Sequence, residues 1–210
     1  MFIFCSREPA MILDDAVIRQ AQPQDEAALY QICLQTANAG SDATALYSDA
    51  HYPGQRFVIP YLRFAPAFAF VLESQGEVVG YVVATPDTET FETQLEQQWW
   101  PQWQAAWRDR TAEAPLDDKI LAYVHQPERA ATSLTSRWPA HLHINLLPVA
   151  QKGGWGRRLI ETELAALRQA GVSGVYLGVS LQNEQVCAFY QRLGFEHVVR
   201  SNAIYMAQQL

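Results

Sequence analysis

The chain has 210 residues, of which 49% are apolar and 18% charged, so it can bury a sizeable core and is not a disordered or low-complexity polymer. Fifteen basic and 22 acidic residues leave a formal charge of −7, which argues against a nucleic-acid partner held by phosphate neutralisation. The imbalance is uneven: residues 151–200 hold six basic and four acidic groups, which suits a small anionic ligand or a solvated face. Cys5, Cys33 and Cys187 are odd in number, far apart and form no CxxC, a usage of reducing compartments, with Cys33 and Cys187 expected as buried apolar groups. No apolar run approaches the roughly 18 residues of a membrane span, and Arg7 and Glu8 interrupt the apolar start. A cytoplasmic protein with no membrane partner is expected, with a loose leader over 1–14 and one domain over 15–210.

In chain order, 16–20 is a short strand candidate. Pro23, Asp25 and Glu26 suit the start of a helix carrying Leu29, Ile32 and Cys33, with Gly40 beyond its end. Residues 41–66 read as loop with one short helix. Two strands, 67–73 and 77–84, flank a Ser74-Gln75-Gly76 turn. A polar helical stretch to about Arg110 carries Phe91, Leu95, Trp99, Trp103 and Trp107, with Pro101 kinking or restarting it. This Trp-rich helical insertion, at about 88–118, packs onto the sheet or presents a partner surface.

A short strand is expected at 120–125 and another at 141–147. A glycine-rich turn at 151–156 then opens a helix over 158–170 that ends before Gly171. A strand at 175–179, a helix at 183–193 and strands at 195–199 and 203–207 complete an α/β fold. It is a mixed sheet of about six or seven strands flanked by helices.

The chemistry concentrates between His141 and Phe195. A glycine turn after a strand exposes backbone N–H groups at a helix N-terminus, where phosphate oxygens bind well; a tight strand-to-helix connection would look the same. No GK[ST] follows and no GxGxxG is present, so neither a Walker loop nor a dinucleotide fingerprint is at hand. His141 and His143 share one strand face, but no third ligand is spaced for a metal. His143 can serve as a base or as a hydrogen-bonded structural residue.

Gln151-Lys-Gly-Gly154-Trp-Gly156 resembles the Q/R-x-x-G-x-G/A signature of the GNAT acetyltransferases. Asn183, Tyr190, Arg192, Gly194 and Phe195 resemble the family's N-x6-Y-x-K-x-G-F motif, with Arg for Lys. Pro60-Tyr-Leu-Arg-Phe, residues 67–73, Gly80-Tyr-Val-Val-Ala-Thr-Pro-Asp-Thr and Trp99-Trp100 further resemble the acetyltransferase-like C-terminal domain of O-GlcNAcase and its free-standing bacterial relatives.

The resemblance implies the GNAT acyl-CoA N-acyltransferase fold, with acetyl-CoA as cosubstrate and an unidentified amine as acceptor. It implies that the Leu146 and Leu147 backbone holds the pantetheine arm and that a Leu147 N–H is the oxyanion donor. Residues Gln151, Lys152, Gly153, Gly154, Trp155, Gly156 and Arg157 would receive the pyrophosphate, with Arg158 adding charge. Asn183 would touch the cofactor, and Tyr190 would protonate the leaving thiolate.

Each assignment has a plainer reading. Asn183 also suits a helix N-cap, Tyr190 a core position and Trp155 a surface cover. Asp87 is the first candidate for the amine's base, although Asp before Thr-Glu-Thr reads more readily as an N-cap. The acidic surface outside 151–200 is compatible with a cationic acceptor. Dimerisation is compatible with the sequence. The competing function is a catalytically inactive acyl-CoA-binding or protein-interaction module.

Overall fold

The computed structural model describes Leu13 and residues 15–210; the rest of the expected leader lies outside the described residues. In chain order these form β1 (Val17–Gln20), α1 (Glu26–Leu34), α2 (Tyr52–Phe57), α3 (Ile59–Phe64), β2 (Ala69–Ser74), β3 (Glu77–Thr85), α4 (Thr88–Gln94), α5 (Trp100–Ala106), α6 (Asp117–His125) and α7 (Thr132–Thr135). After them come β4 (Ala140–Leu146), α8 (Trp155–Gln169), β5 (Gly174–Val179), α9 (Cys187–Gln191), β6 (Glu196–Arg200) and β7 (Ile204–Gln209). One mixed sheet of seven strands runs in the order β1-β2-β3-β4-β5-β7-β6. Every neighbouring pair is antiparallel except β4 and β5.

Strand alternation sorts the core into two layers. Val71, Tyr81 and Val83 face α1–α3 and the Trp-bearing helices. Leu72, Val82, Ala84 and Leu142 face α8, whose Leu159, Ile160, Leu164 and Leu167 cover them. The β2–β3 turn forms as expected, with Gln75 and Gly76 both at positive φ, the twist that a two-residue hairpin demands.

Two expectations are corrected. Residues 120–125 are not a strand but the end of α6: Asp117 and Asp118 occupy its first turn, and Ile120, Leu121 and Val124 form its buried stripe. Six apolar-rich residues fit either period until a neighbour is present to bury one face. The 41–66 stretch holds two short helices, α2 and α3, rather than one. For the Trp segment, the structure takes the packing alternative. Trp99, Trp100 and Trp107 are buried in the core, and the Trp99 indole donates to the Gln55 carbonyl at 2.9 Å, so they pack the fold and present no partner surface. Pro101 restarts the helix: residues Leu95–Trp99 widen into a π turn before α5 begins at Trp100. The wider turn accommodates a ring that cannot donate into the helical ladder.

Two buried carboxyls behave oppositely. Asp117 is fully buried; burial opposes its charge, but hydrogen bonds from the Ser48, Glu113 and Ala114 N–H groups outweigh it and hold the group below the usual carboxylate range. Glu163 on α8 is equally buried, and neither of its oxygens has a partner among the described residues. Burial pushes its carboxyl up to about 9, so it is neutral at pH 7. The folded state therefore holds this proton more tightly than the unfolded state. Stability is complete below the unfolded value of about 4.3 and declines as pH rises toward 9. Urea denaturation between pH 5 and pH 9 should show this decline. Glu163→Met should flatten it and raise stability at pH 8 by about 1–4 kcal/mol.

Candidate active site

β4 and β5 pair only at Ala140 with Val175 and His141 with Tyr176, and then part. On its other edge β4 stays paired to β3 from His141–Thr85 to Leu146–Gly80. The Leu147 N–H donates to the Val79 carbonyl at 2.9 Å, which sets the alternation along the strand. The backbone groups of Ile144 and Leu146 consequently face the gap toward β5, where no strand meets them. This corrects the Leu147 assignment: its N–H is spent on β3 and cannot serve as oxyanion donor. The gap-facing backbone beside Leu146 is that of Ile144.

A cavity of about 840 Å³ fills the gap. Gly178, Val179 and Ser180 line it from the β5 side, and Cys33 and Thr36 from α1 and the residue run beyond it. Gln151, Gly154, Gly156 and Arg157 line it at the N-terminus of α8, and Asn183, Phe189 and Tyr190 from the segment around α9. Lys152, Gly153 and Trp155 belong to the same turn but do not line the cavity. Lys152 is exposed, and Trp155 is half-buried with the Arg158 guanidinium 4.5 Å above its ring. That stacking occupies Arg158 away from the cavity.

The turn at 151–157 leaves backbone N–H groups free at the start of α8. Gly153 and Gly154 both stand at positive φ, +89° and +83°, which turns the chain sharply into α8. The helix begins at Trp155, three residues before its expected start, and its first internal bond runs from Arg158 N–H to Gly154 O. The N–H groups of Trp155, Gly156 and Arg157 therefore have no helical partner, and no carboxylate occupies the first turn. A side chain at Gly156 would reach to 3.4 Å from Phe189 across the cavity. The Gln151 side chain folds back to donate to the Leu146 carbonyl at 3.1 Å, tying the turn to the end of β4.

Asn183 is not a helix cap. Ser180 caps the helical turn ahead of α9 by accepting from Gln182 N–H, while Asn183 breaks from helical geometry and faces Gly40 across the cavity mouth. Tyr190 is 9% exposed and lines the cavity, and burial raises its phenol above the usual range. Its hydroxyl has no hydrogen-bond partner among the described residues.

The strand's other face carries His141, His143 and Asn145. His141 is structural: Thr88 Oγ donates to the Pro139 carbonyl at 2.7 Å and so accepts from His141 Nδ1 at 2.8 Å. The Tyr61 hydroxyl, 2.5 Å from Nε2, then donates to it. His143 lines the cavity, its ring 5.6 Å from Phe57 and 5.5 Å from Tyr61. Burial, aided by the Arg56 charge, pushes its imidazole down to about 4, so it is a neutral acceptor at pH 7. Asn145 donates to the Thr36 hydroxyl, fixing the end of α1 against the strand.

Asp87 is not in this cleft. Thr85 pairs with His141 at the closed end of β4, and Asp87, two residues past it, is not among the residues lining the cavity. Asp87 instead caps α4, accepting from Thr90 N–H at 2.7 Å, and lines a separate concavity beside Phe64 and Phe91. Sequence reasoning passed over Ile144, Thr36, Cys33, Phe57 and the 37–41 loop. For Ile144 the period-2 alternation was a usable signal; the others carry none until the fold assembles them. Among the described residues no group of three or more His, Cys, Asp or Glu could hold a metal, and no helix is long and apolar enough to cross a membrane.

The parted parallel pair, the glycine turn and the free helix N-terminus define an acyl-CoA-type transferase site. The acetyltransferase (GNAT) family profile matches residues 88–195, and the chain belongs to that family. The crystal structure of SsHAT is 37% identical and superposes over 92% of this chain and 98% of that one, with a TM-score of 0.85. The structure of yncA from Salmonella typhimurium with its cofactor acetyl-CoA shares the fold at 16% identity, a TM-score of 0.55 and coverage of 94% and 95%. Protein O-GlcNAcase of Rattus norvegicus and of Mus musculus are each 22% identical over 180 residues. That is 84% of this chain but only 20% of those proteins' length.

Two substitutions separate the roles. Gly154→Ala forces a side chain into left-handed backbone and should cost about 1–2 kcal/mol in thermal or urea denaturation, with acetyl-CoA affinity falling roughly tenfold as the turn relaxes. Asp87→Ala should cost about 1 kcal/mol through loss of the α4 cap and leave kcat/KM for acetyl transfer unchanged.

Proposed function

We propose that the chain is an acetyl-CoA-dependent N-acetyltransferase that passes an acetyl group directly to an amine, without a covalent enzyme intermediate. The observation that carries this reading is the open edge of β4, which meets the unpartnered α8 N-terminus in one cavity with Tyr190 and His143 on its walls. Backbone groups of Ile144 and Leu146 offer an extended pantetheine arm the bonds a neighbouring strand would make. The N–H groups of residues 155–157, with Arg157 and nearby Lys152, receive the pyrophosphate. The gap-facing Leu146 N–H is the donor to the developing oxyanion.

The neutral amine attacks the thioester carbonyl. A C–N bond forms, the C–S bond breaks, and the products are the acetamide and free thiol. His143 accepts the proton that the amine sheds. Tyr190, kept protonated by burial, supplies the proton to the departing sulfur. Cys33 and Cys187 stay outside the chemistry: burial pushes the Cys33 thiol up to about 12 and also raises that of Cys187.

Calorimetric titration with acetyl-CoA tests the binding half of this reading, with micromolar affinity expected. For the chemical half, Tyr190→Phe should lower kcat by roughly 100-fold or more while acetyl-CoA affinity stays within about twofold. Turnover unchanged in the variant would remove Tyr190 from the reaction. Binding without turnover on any amine would leave an acyl-CoA-binding module.

A further inference from the structure

Resting on the acetyl-transfer reading, we infer that the acceptor is a weakly basic aromatic amine, neutral in water at pH 7, rather than a lysine side chain or another alkylamine. Part of the cavity is walled by Phe57 and His143, with Tyr61 edge-on to His143 from behind the wall and Asn145 two residues along the strand. These are flat surfaces that match a planar acceptor.

The groups facing His143 are known from each element. From its own strand comes the neutral His141, 5.8 Å away between ring centroids. From α3 comes the Tyr61 phenol, held protonated by burial. From α2 come Phe57 and Arg56. The Arg56 guanidinium lies 4.8 Å from the Phe57 ring centroid and 3.4 Å from that of Tyr123, and it has no carboxylate within ion-pair distance among the described residues. Arg56 stands outside the cavity lining, against Phe57, and its positive charge acts on His143, so it disfavours a cation beside that ring. Arg157, the one charged residue of the cavity lining among the described residues, is a cation as well.

Proton affinity points the same way. An alkylammonium, with a pKa of about 10.4, is neutral in only about one molecule in a few thousand at pH 7. The protein would then have to strip its proton using an imidazole pushed down to about 4. An arylamine arrives neutral and becomes acidic only as its nitrogen bonds to the acyl carbon, when His143 can take the proton. The C–N bond forms, the C–S bond breaks, and the thiol leaves with the Tyr190 proton.

The test uses the purified full chain with acetyl-CoA, following thiol release with 4-methoxyaniline, n-butylamine and a lysine-containing peptide. The expected result is a kcat/KM for 4-methoxyaniline at least 100-fold above either alkylamine at pH 7.5. That rate should vary little between pH 6.5 and 8.5, because neither His143 nor the amine titrates there. Arg56→Gln should raise the alkylamine-to-arylamine ratio at least fivefold. A lysine peptide or butylamine turned over faster than the arylamine, with a rate climbing about tenfold per pH unit toward pH 9, overturns the assignment. So does a protein that binds acetyl-CoA by calorimetry yet fails to acetylate 4-methoxyaniline. A protein that does not bind acetyl-CoA overturns instead the acetyl-transfer reading beneath it.

Discussion

Everything functional in this molecule follows from two parallel strands that hold together at one end only. β4 and β5 share pairing at Ala140–Val175 and His141–Tyr176, and nothing pairs them beyond. The paired end is locked: a side chain at Gly174 would meet the Trp138 ring at 2.7 Å, so the backbone there can lie flush against its neighbour. At the other end Phe189 and Tyr190 line the open side. Backbone N–H and C=O groups rarely stay unpaired when covered, so a strand edge left open inside a cavity is a demand for an extended partner.

The period of two along β4 divides the labour. Backbone at Ile144 and Leu146 faces the gap toward β5, while the side chains of His141, His143 and Asn145 project toward α1, α2 and α3. Two histidines separated by a single residue acquire different work from depth alone. His141 is saturated by Tyr61 and Thr88 and holds α3 and α4 to the sheet. His143, one pleat closer to the gap, has no hydrogen-bond partner among the described residues and meets the cavity. A one-residue slip of β4 would exchange the two faces and lose both roles.

The supporting layer is unusually aromatic on one side and carries a lone buried acid on the other. Trp99, Trp100 and Trp107 complete the core over Tyr52, Tyr61 and Phe91 and keep α2 and α3, and with them Phe57, against the chamber. On the α8 side, Glu163 is kept protonated in an apolar layer. The helix whose free N-terminus opens onto the cavity thus carries a built-in sensitivity to alkali at its centre.

Local signals in the sequence already determined much of this. The β2–β3 hairpin, the α8 stripe ended by Gly171, and the 151–156 turn were legible because turn chemistry and helical periodicity act over a few residues. Two short motifs around Gly154 and Tyr190 were enough to indicate the family. The tertiary structure alone decided the rest. Residues 120–125 became helix because packing chose which face to bury. Leu147 lost its N–H to Val79, the β3–β4 register put Asp87 past the closed end of β4 and outside the cavity, and Cys33 and Phe57 were brought to the cavity from far along the chain. Pairing register and the parting of two strands are long-range quantities, set by contacts between segments 35 to 66 residues apart, and no window of local sequence contains them.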